Sequence, residues 1–354
     1  MERMICELYL KIQIMMEIWK RKRQPGCERM IIVVGSTNFD TVMRVKSLTR
    51  DGETTAAKRI QQYLGGKGAN QAVGVAKLGS KCCFMTSFGS DWTGKFLSSK
   101  FSEFNISLYS QHSNDLSGQA FIEVNDAGMN RIIVYSGANA LLDETFLDQY
   151  SHILERADLI LLQGEVPWDT NLHILKTYGK KCPIVLDPAP AIPEMLVGIE
   201  KATFVTPNES EFSILSGKQY NSLEEILEGA KDFQKKFRIT LVLKLGKNGC
   251  AFFSDTDSFI VSPINGLKVV DTTGAGDSFN AAFAVALEMG YEIRKAIKYA
   301  VFVSGISTMN EGTSSAMPTD IEVQALEKKL SGDQPKLIEL QEIDKHFRTF
   351  KTFP

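Results

Sequence analysis

The sequence predicts an α/β fold: a doubly wound, mostly parallel sheet with helices on both faces and a small β-sheet lid. The first observation is that short apolar runs alternate with segments of helical period from Met30 onwards. The second is that these runs are apolar throughout, which is typical of strands buried on both faces of a parallel sheet. The third is that two segments, about 38–63 and 106–135, carry short alternating strands instead. We expect these two segments to form an accessory sheet over a cleft.

Each element is predicted from a local pattern. The run "MIIVVGS" is rich in β-branched residues and ends at Gly35, as expected for a buried strand. The segment "GKGANQAVGVAKLGS" predicts a helix that begins between Gly66 and Gly68 and ends at Gly79. Another helix is predicted from about Asp91. The other strands are predicted in the runs "KCCFMTSFG", "GQAFIEV", "RIIVYSG", "ADLILLQG", "CPIVLDPAP", "ATFVTPNE" and "ITLVLKLG".

The chain of 354 residues is predicted to form one domain with a lid, because it holds no internal repeat and no low-complexity linker. The domain is placed at residues 30–330. Residues 331–354 are predicted to be a C-terminal tail and residues 1–29 an N-terminal extension. Charged residues interrupt the apolar part of this extension and its basic cluster comes afterwards. We therefore expect neither a secretory signal, nor a membrane span, nor a transit peptide.

The composition excludes several classes of function. The formal net charge of −2 gives no electrostatic reason to expect binding to nucleic acid or to an acidic membrane. The four histidines are widely spaced, so neither a zinc site nor a histidine-centred triad is expected. The six cysteines form no CxxC motif and are expected to be reduced thiols. We therefore expect a cytoplasmic protein, with the nucleus as a second location.

One glycine-rich helix start is predicted to bind an anion. The chain has no GxxxxGK[ST] motif, and "GAGDSF" and "GGKGAN" both lack the third glycine of a dinucleotide-binding GxGxxG motif. Instead, Gly274, Ala275 and Gly276 precede a helical segment. Its apolar residues follow the spacing i, i+4, i+7, i+8: Phe279, Phe283, Ala286 and Leu287. Small residues at such a start let an anion approach backbone N–H groups at the positive end of the helix dipole.

Asp277 follows these small residues directly and has two interpretations. A carboxylate in the first turn stabilises a helix by about 0.3–1 kcal/mol through the dipole, so Asp277 can be a capping residue with a lowered pKa. It can also be a catalytic base for phosphoryl transfer, because a loose transition state depends on positioning more than on strong proton abstraction. The choice between these interpretations depends on the other motifs in the chain.

Five motifs occur in order and carry a resemblance. They are "GGKGANQAV" (Gly65–Val73), "DPAPA" (Asp187–Ala191), "TPNESE" (Thr206–Glu211), "LGKNG" (Leu245–Gly249) and "DTTGAGDSF" (Asp271–Phe279). Together they resemble the ribokinase/PfkB family of sugar and nucleoside kinases, over about residues 30–330. The resemblance implies a sheet of about nine strands, a lid, and homodimers that form through the lids.

The resemblance implies a sugar site after the first strand. Asn38 and Asp40 of "GSTNFD" lie where open α/β sheets bind ligands, and a carboxylate can accept hydrogen bonds from two vicinal hydroxyls. The same two residues are also typical of an Asx-turn. The other sugar-binding residues implied by the family are Gly66, Lys67, Asn70 and Glu165. Residues Ser117, Gly118 and Ser136–Asn139 are expected to flank the sugar.

A nucleotide site is implied in the same way. The matched residues are Asn208, Lys244, Leu245, Gly246, Lys247, Asn248, Gly249, Gly276 and Val301. Glu211 matches a residue that acts on magnesium through water, which suits an ion that keeps several waters. Asn208 and Glu211 also form a capping-box pattern. In the family, Asp277 is the catalytic base, and the N–H groups of residues 274–276 form the anion hole.

A monovalent-cation site for K⁺ is implied behind the anion hole. The matched residues are Asp271, Thr273, Ser307, Asn310, Gly312 and Ala316. Three positions depart from the family pattern. Lys244 stands where a small hydroxyl residue is usual, Val301 where a polar residue often lies near the adenine, and Ala316 where a serine helps to hold potassium. These departures bear on nucleotide preference and on K⁺ dependence.

The expected function is ATP-dependent phosphorylation of D-ribose at the 5-hydroxyl, giving D-ribose 5-phosphate, with ATP, Mg²⁺ and K⁺ as cofactors. One alternative is another sugar or nucleoside kinase, similar to a fructokinase or an adenosine kinase. A second alternative is a non-catalytic sugar-binding protein. The complete "NFD" and "GGKGAN" motifs, with Glu165, favour a small furanose, and an intact Asp277 counts against a non-catalytic protein.

Overall fold

The computed structural model describes residues 29–330 and 332–340. The rest of the predicted N-terminal extension and of the predicted tail lies outside these described residues. In chain order the strands are β1 (Ile31–Val34), β2 (Asn38–Arg44), β3 (Arg59–Gly65), β4 (Cys82–Gly89), β5 (Ile106–Ser113), β6 (Gly118–Val124), β7 (Asn130–Tyr135), β8 (Leu159–Gln163), β9 (Ile184–Asp187), β10 (Phe204–Val205), β11 (Thr240–Lys244), β12 (Cys250–Phe253), β13 (Ser258–Val261) and β14 (Leu337–Glu339). The α-helices are α1 (Lys67–Lys77), α2 (Trp92–Lys100), α3 (Glu144–Gln149), α4 (Ser151–Leu154), α5 (Trp168–Tyr178), α6 (Glu209–Ser216), α7 (Leu223–Phe237), α8 (Ala275–Glu288), α9 (Ile293–Ser307) and α10 (Asp320–Lys329).

The main sheet has ten strands within the described residues, in the order β14-β13-β12-β11-β10-β9-β8-β1-β4-β5. The strands from β11 to β5 run parallel to one another, and β12, β13 and β14 extend the sheet in antiparallel pairs. Every residue of β1, β4, β8 and β9 is buried, which explains why these strands are apolar along nearly their whole length. The predicted doubly wound α/β fold is confirmed.

Two elements at the edges of the main sheet differ from the prediction. The segment Ile106–Ser113, predicted to belong to the lid, is β5 and pairs in parallel with β4. An edge strand is covered less completely than a central one, so β5 has a mixed burial pattern that resembles a lid strand. The segment Leu337–Glu339, predicted to be part of the tail, is β14 and pairs with β13. With three residues it is too short to show a strand pattern in the sequence.

The smaller sheet has the strand order β3-β2-β6-β7. β2 pairs in antiparallel fashion with β3 and in parallel with β6, and β7 is antiparallel to β6. The remaining predicted lid segments, 38–63 and 118–135, contain β2, β6, β7 and most of β3, which continues to Gly65. Arg44, at the far end of β2, forms an ion pair with Glu311 of the main domain.

Two hydrophobic clusters cover the faces of the main sheet. Side chains alternate along a strand, so Ile31 and Val33 of β1 belong to one cluster and Ile32 and Val34 to the other. Helices α1, α8 and α9 pack in the first cluster, and α5, α6 and α7 pack in the second. Among the residues that the structure describes, no helix has the length and apolar character needed to cross a bilayer.

Candidate active site

The candidate functional residues gather at the carboxyl ends of the parallel strands. Ser36 follows β1, Glu165 follows β8, Asp187 ends β9 and Lys244 ends β11. The chain moves from β1 to β4 on one side and later continues at β8 on the other, so β1 borders a topological switch point. Open α/β sheets bind their ligands in the crevice at such a point.

The start of α1 packs directly on the loop that follows β1. A Cβ on Gly68 would lie 2.6 Å from the carbonyl carbon of Gly35. Gly66 has φ +87°, and its Cβ would lie 2.8 Å from the backbone nitrogen of Asn38. Glycine alone combines this backbone conformation with the absence of a side chain. The "GGKG" segment therefore brings the start of α1 against the end of β1.

Asn38 is held in one orientation by Asn139. The Nδ2 of Asn139 donates to Asn38 Oδ1 at 2.8 Å and to the Thr37 carbonyl at 3.1 Å, and Thr37 N donates back to Asn139 Oδ1 at 2.9 Å. A Cβ on Gly118 would lie 2.1 Å from Asn139 Nδ2 and 2.3 Å from Asn38 Oδ1. Gly118 therefore leaves the space that this hydrogen bond occupies.

Asp40 is a buried carboxyl group with an unused acceptor. Within the described part of the chain, neither its Oδ1 nor the Oδ1 of Asn70 takes part in a hydrogen bond. Burial raises the pKa of Asp40 from 3.8 to about 8, and the nearby Glu165 and Asp277 carboxylates add to this rise. Buried acceptors normally have a donor, so two unused ones fit a ligand that is rich in hydroxyl groups.

Glu165 fixes the start of α1. Its Oε2 accepts hydrogen bonds from the backbone N–H of Lys67 at 2.8 Å and from the Ser36 hydroxyl. The N–H of Gly68 donates to the same Ser36 hydroxyl oxygen at 3.3 Å. A carboxylate at a helix N-terminus also interacts favourably with the helix dipole. Glu165 thus ties β1, β8 and α1 together, and its contact with a sugar stays a prediction.

Asp277 is buried in the first turn of α8 and is held by two amides from α1. Asn70 Nδ2 donates to its Oδ2 at 2.9 Å, and Gln71 Nε2 donates to its Oδ1 at 3.1 Å. Burial raises the pKa of Asp277, and Asp187 adds to this rise, whereas Lys67 and the two amides oppose it. The lowered pKa that the capping interpretation implies is not found, because desolvation outweighs the interactions that favour the carboxylate.

The start of α8, which is predicted to bind an anion, has one of its backbone N–H groups already paired within the protein. Gly274 has φ +76° and the first intrahelical bond runs from Ser278 N to Gly274 O at 2.9 Å. The N–H of Ala275 donates to the Thr272 carbonyl at 3.2 Å, and its role in the anion hole stays a prediction. The amides of Gly276 and Asp277 are the next two in the first turn, where N–H groups have no intrahelical acceptor.

Lys67 lies in the field of the carboxylates around the cleft. Burial by itself lowers its pKa, but Asp277, Asp187, Glu165 and Glu211 together raise it above the ordinary value of a lysine. The ammonium group is therefore charged at neutral pH. A cation among these carboxylates stabilises their ionised forms and is available to an anionic ligand.

Asn208 and Glu211 form the predicted capping box at the start of α6. Asn208 Oδ1 accepts from Glu211 N at 2.8 Å, and Glu211 Oε2 accepts from Asn208 N at 2.7 Å. Burial raises the pKa of Glu211, although the nearby Lys244 ammonium opposes the rise. The capping interpretation is confirmed, and the role of Glu211 at a magnesium ion stays a prediction.

Lys244 forms a buried ion pair with Asp187. Its Nζ lies 2.8 Å from Asp187 Oδ1, and the two side chains are 12% and 1% exposed. The following residues Gly246–Asn248 form one exposed 3₁₀ turn, closed by a bond from Leu245 N to Gly249 O at 2.8 Å. Val301, predicted near the adenine, is buried in the hydrophobic cluster of α9 and can offer a ligand only apolar contact.

Several of the residues predicted for a monovalent cation lie around Asp271. Asp271 Oδ1 accepts from Thr273 N at 2.9 Å and Oδ2 accepts from Gly312 N at 3.1 Å. These hydrogen bonds lower the pKa of Asp271, although its partial burial opposes them. The Asp271 N–H donates to the Thr308 carbonyl, and Ser307 and Asn310 lie on either side of that residue.

The loop that contains Ala316 is held by a lysine. Lys77 Nζ donates to the carbonyls of Ser314, Ser315 and Met317 at 3.0, 3.2 and 2.8 Å. Ala316 is buried and has no side-chain oxygen to offer a cation. Within residues 29–330 and 332–340, no group of three or more His, Cys, Asp or Glu residues is arranged to hold a metal ion.

Most of the chain matches one known protein family. Residues 28–320 match the pfkB family carbohydrate kinases. The chain belongs to this family. The predicted resemblance is therefore confirmed over most of the chain.

Several relatives are similar to this chain in sequence. The ribokinase of Haemophilus influenzae is 34% identical over 299 residues, which cover 82% of this chain and 96% of that protein. The bifunctional ribokinase/ribose-5-phosphate isomerase A of Fructilactobacillus sanfranciscensis is 35% identical over 300 residues, but the match spans only 55% of its length. A deoxyribokinase of Salmonella typhi is 32% identical and covers 82% of this chain and 95% of its own length.

Solved structures of ribokinases share the fold. The ribokinase of Thermotoga maritima is 35% identical with a TM-score of 0.78, and the match covers 85% of this chain and 99% of that chain. The Arabidopsis thaliana ribokinase, solved with ribose and ATP, is 31% identical with a TM-score of 0.76, and covers 84% and 98% of the two chains.

The structure shows three further polar residues at the site that the sequence analysis did not single out: Gln71, Gln163 and Asp187. Gln71 Nε2 donates to both Asp277 and Asp187, and Gln163 Nε2 donates to Gln71 Oε1 at 2.8 Å. All of these polar side chains are buried. A signal was present for each, because Gln71 and Asp187 lie in the quoted motifs and Gln163 ends an apolar strand. A polar residue in such a setting needs a polar partner.

Proposed function

We propose that this chain phosphorylates D-ribose at the 5-hydroxyl with ATP and that Asp277 is the catalytic base. The observation that carries the proposal is the position of Asp277. Its carboxylate is buried at the start of α8 and is oriented by Asn70 and Gln71. These amides lie on α1, whose start packs against the strand end that bears Asn38. This position supports the proposal that one carboxylate borders both the sugar site and the phosphate site.

The proposed step transfers one phosphoryl group and one proton. The 5-hydroxyl oxygen of the sugar forms a bond to the γ-phosphorus of ATP while the bond from that phosphorus to the bridging β–γ oxygen breaks, and ADP leaves. The hydroxyl proton passes to Asp277. Loose phosphoryl-transfer transition states depend mainly on alignment and charge stabilisation. The N–H groups of Gly276 and Asp277, with the Lys67 ammonium, supply the positive charge.

The raised pKa of Asp277 suits this role. A base is more effective when its pKa is closer to the working pH, provided that it stays ionised before the reaction. Burial raises the pKa and thus increases basicity, while Lys67, Asn70 and Gln71 favour the carboxylate form.

The sugar is proposed to bind through acceptors that have no hydrogen-bond donor in the described part of the chain. Asp40 Oδ1 and Asn70 Oδ1 are buried acceptors of this kind among the described residues. Asn38, which is held in place by Asn139, lies at the same end of the cleft. Sugar hydroxyls would satisfy these oxygens, and a ligand that lacks hydroxyls would leave them buried and unpaired, at a cost of about 1–3 kcal/mol each.

Two metal ions are part of the proposal. Mg²⁺ keeps several waters and binds ATP phosphates, so Glu211 can act on it through water from its place in the capping box. The carboxylate of Asp271 and the loop carbonyls around residues 273 and 307–312 fit K⁺, which prefers oxygen ligands. Because Ala316 lacks a hydroxyl, we propose weaker K⁺ activation than a serine there would give.

We also propose that the chain forms a homodimer through its lids. Every residue of β7 is exposed, including the large apolar side chains Ile132, Ile133, Val134 and Tyr135. A contiguous exposed apolar surface of this kind is typical of an interaction site. Light scattering should give twice the monomer mass for the unaltered protein, and Ile133→Asp should give the monomer mass.

The test of the proposed reaction is a coupled assay of ADP formation with saturating ATP, Mg²⁺ and K⁺. The acceptors are D-ribose, 2-deoxy-D-ribose, D-fructose and adenosine. D-Ribose should have the highest kcat/KM. A higher value for 2-deoxy-D-ribose would favour the activity named for the Salmonella typhi relative, and no turnover of any acceptor would contradict the proposal.

A further inference from the structure

The ammonium group of Lys77 is bonded to three backbone carbonyls. Lys77 is the last residue of α1, and its Nζ donates at 3.0, 3.2 and 2.8 Å to the carbonyl oxygens of Ser314, Ser315 and Met317. An ammonium group has three N–H donors, so these bonds use all of them, whereas a neutral amine would leave one carbonyl without a donor. Hydrogen bonds from a charged donor are stronger than those between neutral groups. Lys77 therefore fixes the loop formed by residues 312–317.

The end of α1 also packs tightly against this 312–317 loop. A Cβ on Gly74, three residues before Lys77, would lie 2.9 Å from the Sδ atom of Met317 and 2.7 Å from the Cβ of Ala281 in α8. Met317 and Ala281 are both buried. Because Gly74 has no side chain, α1, α8 and the loop can approach one another this closely. The three segments form one packed unit, in which a displacement of the loop affects α8.

The same loop reaches the residue at which α8 begins. A Cβ on Gly274, the N-cap of α8, would lie 3.2 Å from the Cα of Thr313. The next residue, Ser314, is one of those whose carbonyl binds Lys77. Lys77 is thus linked to Gly274 through two consecutive residues of one loop. The backbone N–H groups that are proposed to bind phosphate follow Gly274 in the first turn of the helix.

The position of this first turn matters for phosphoryl transfer. Backbone N–H groups stabilise developing charge only when they point at the place where the oxygen will lie, and a misplacement of about 1 Å can cost about 100-fold in rate. Lys77 has no donor left for a ligand, because its three donors are used by the loop. Any contribution of its hydrogen bonds to phosphate binding therefore passes through the loop.

We propose that Lys77 is a positioning residue for the phosphate end of the cleft: its ammonium group holds the 312–317 loop against Gly274 and thereby fixes the first turn of α8. This inference rests on the proposed kinase function of the same cleft. Two competing explanations make different predictions. If Lys77 only stabilises the fold, its loss should weaken the binding of every ligand alike. If Lys77 acts through its long-range electric field, the effect should disappear at high salt.

The experiment is calorimetric titration with three ligands: D-ribose, adenosine, and the non-hydrolysable ATP analogue AMP-PNP with Mg²⁺. The test variant is Lys77→Met, which keeps an apolar stem and removes the ammonium group. The control is Lys176→Met, because Lys176 is an exposed lysine in the last turn of α5, a helix of the same length as α1. Both variants lose one positive charge and one favourable interaction with a helix dipole.

Lys77→Met should weaken Mg·AMP-PNP binding about 10-fold, as expected for the loss of one to two well-placed N–H contacts, and change D-ribose and adenosine binding less than about threefold. The loss should persist in about 0.5 M KCl, where the Debye length is about 4 Å. Lys176→Met should change none of the three affinities. The inference is overturned if Lys77→Met binds Mg·AMP-PNP normally, if all three ligands weaken equally, or if the loss disappears at the high salt concentration.

A second variant covers the case in which Lys77→Met does not fold. Lys77→Gln keeps two N–H donors and can still bind two of the three carbonyls. It should show the same selective loss of Mg·AMP-PNP affinity, by about two- to fivefold. Unchanged Mg·AMP-PNP binding in Lys77→Gln, or equal weakening of the three ligands, would overturn the inference as well.

The outcome is separable from that of the proposed function. Binding of Mg·AMP-PNP needs no sugar and no turnover. A protein that phosphorylates none of the tested acceptors but selectively loses Mg·AMP-PNP affinity in Lys77→Met contradicts the proposed reaction alone. A protein that phosphorylates D-ribose but keeps this affinity in Lys77→Met contradicts the inference alone.

Discussion

The two ends of the cleft balance their polar groups in different ways. At the end proposed to bind the sugar, amide groups and one carboxyl group with a raised pKa line the cleft, and Asp40 and Asn70 each keep an oxygen without a partner among the described residues. At the end proposed to bind phosphate, the carboxylates of Asp187 and Asp277 are interleaved with the Lys67 and Lys244 ammonium groups. The first arrangement fits a neutral ligand that donates hydrogen bonds, and the second fits an anion.

Asp277 lies where these two arrangements meet. It takes its orientation from amides of α1, which belongs to the sugar end, and its backbone starts α8, which belongs to the phosphate end. Under the proposed function, the sugar site orients Asp277 and this residue acts at the phosphate site. Changes at the two ends should therefore alter the binding of different substrates, and a change at Asp277 should alter turnover.

The largest effect is expected for Asp277→Asn. The amide cannot accept the hydroxyl proton, so kcat should fall about 10²- to 10⁴-fold, as is typical for the loss of a general base. The affinity for D-ribose should stay within about threefold of the original, because binding uses other acceptors. Initial rates and calorimetric titration with D-ribose measure the two quantities. A normal kcat would refute the assigned role.

A steric change at the sugar end should have the next largest effect. In Gly118→Ala, the new methyl group would overlap the Asn38–Asn139 hydrogen bond, with atoms 2.1 and 2.3 Å away. Displacing Asn38 should raise KM for D-ribose about 10-fold or more, the effect of losing one to two hydrogen bonds, and leave KM for ATP nearly unchanged.

The control for this change is Gly332→Ala, because a Cβ there would meet no atom within 4 Å. It should leave both KM values as they are. An equal rise of the two KM values in Gly118→Ala would show that the ends of the cleft are not independent.

The pKa of Asp40 predicts a pH dependence confined to the sugar end. With a pKa of about 8, this carboxyl is mostly protonated at pH 7 in the free protein. Its carboxylate form is the better acceptor for sugar hydroxyls, so binding should release a proton. The dissociation constant for D-ribose should then fall by up to about tenfold per pH unit as the pH rises towards 8, and level off above it.

The raised pKa of Asp40 also predicts the direction in which the free energy of unfolding changes with pH. The pKa of Asp40 is raised in the folded state, so the folded protein binds more protons than the unfolded one between about pH 4 and 8. The contribution of Asp40 to the free energy of unfolding therefore falls as the pH rises through this range.

The test of the binding prediction is a set of calorimetric titrations with D-ribose from pH 6 to 9. The pH dependence of the dissociation constant should be present in the unaltered protein and lost in Asp40→Asn. If it persists in that variant, it belongs to another group.

The smallest effect is expected at the cation site. Ala316→Ser adds a hydroxyl to a loop that Lys77 already holds through three carbonyls. It should lower the K⁺ concentration for half-maximal activity a few-fold and increase the thermal shift that K⁺ causes, since one added oxygen ligand contributes on the order of 1 kcal/mol. If the K⁺ response is unchanged in both measurements, residue 316 is not part of the K⁺ site.

The sequence predicts the fold class more accurately than it predicts the individual strands and the sheet that each strand joins. Strands β1, β4, β8 and β9 were predictable because they are buried and apolar, and helix α1 because glycines mark its start. The strand β14 was not predictable, since three residues carry no period. β5 was assigned to the wrong sheet, because strand pairing depends on contacts between residues far apart in the chain.

The candidate site shows the same limit. Asp277, Asn70 and Asp40 were predicted from motifs, but the bond between Asn70 and Asp277 joins residues 207 positions apart and exists only in the fold. The sequence left Asp277 open between a capping residue with a lowered pKa and a catalytic base, because it shows the helix dipole and not the burial that raises this pKa. The ion pair between Lys244 and Asp187 likewise appears only when β9 and β11 are placed in one sheet.

The most direct test of the central claim is the identity of the product. The unaltered protein is incubated with ATP, Mg²⁺, K⁺ and D-ribose, and the sugar product is examined by ³¹P and ¹H NMR. The account predicts one phosphomonoester, with its phosphorus coupled to the two protons on C5. A phosphate on another carbon, or ATP hydrolysis without a sugar phosphate, would contradict it.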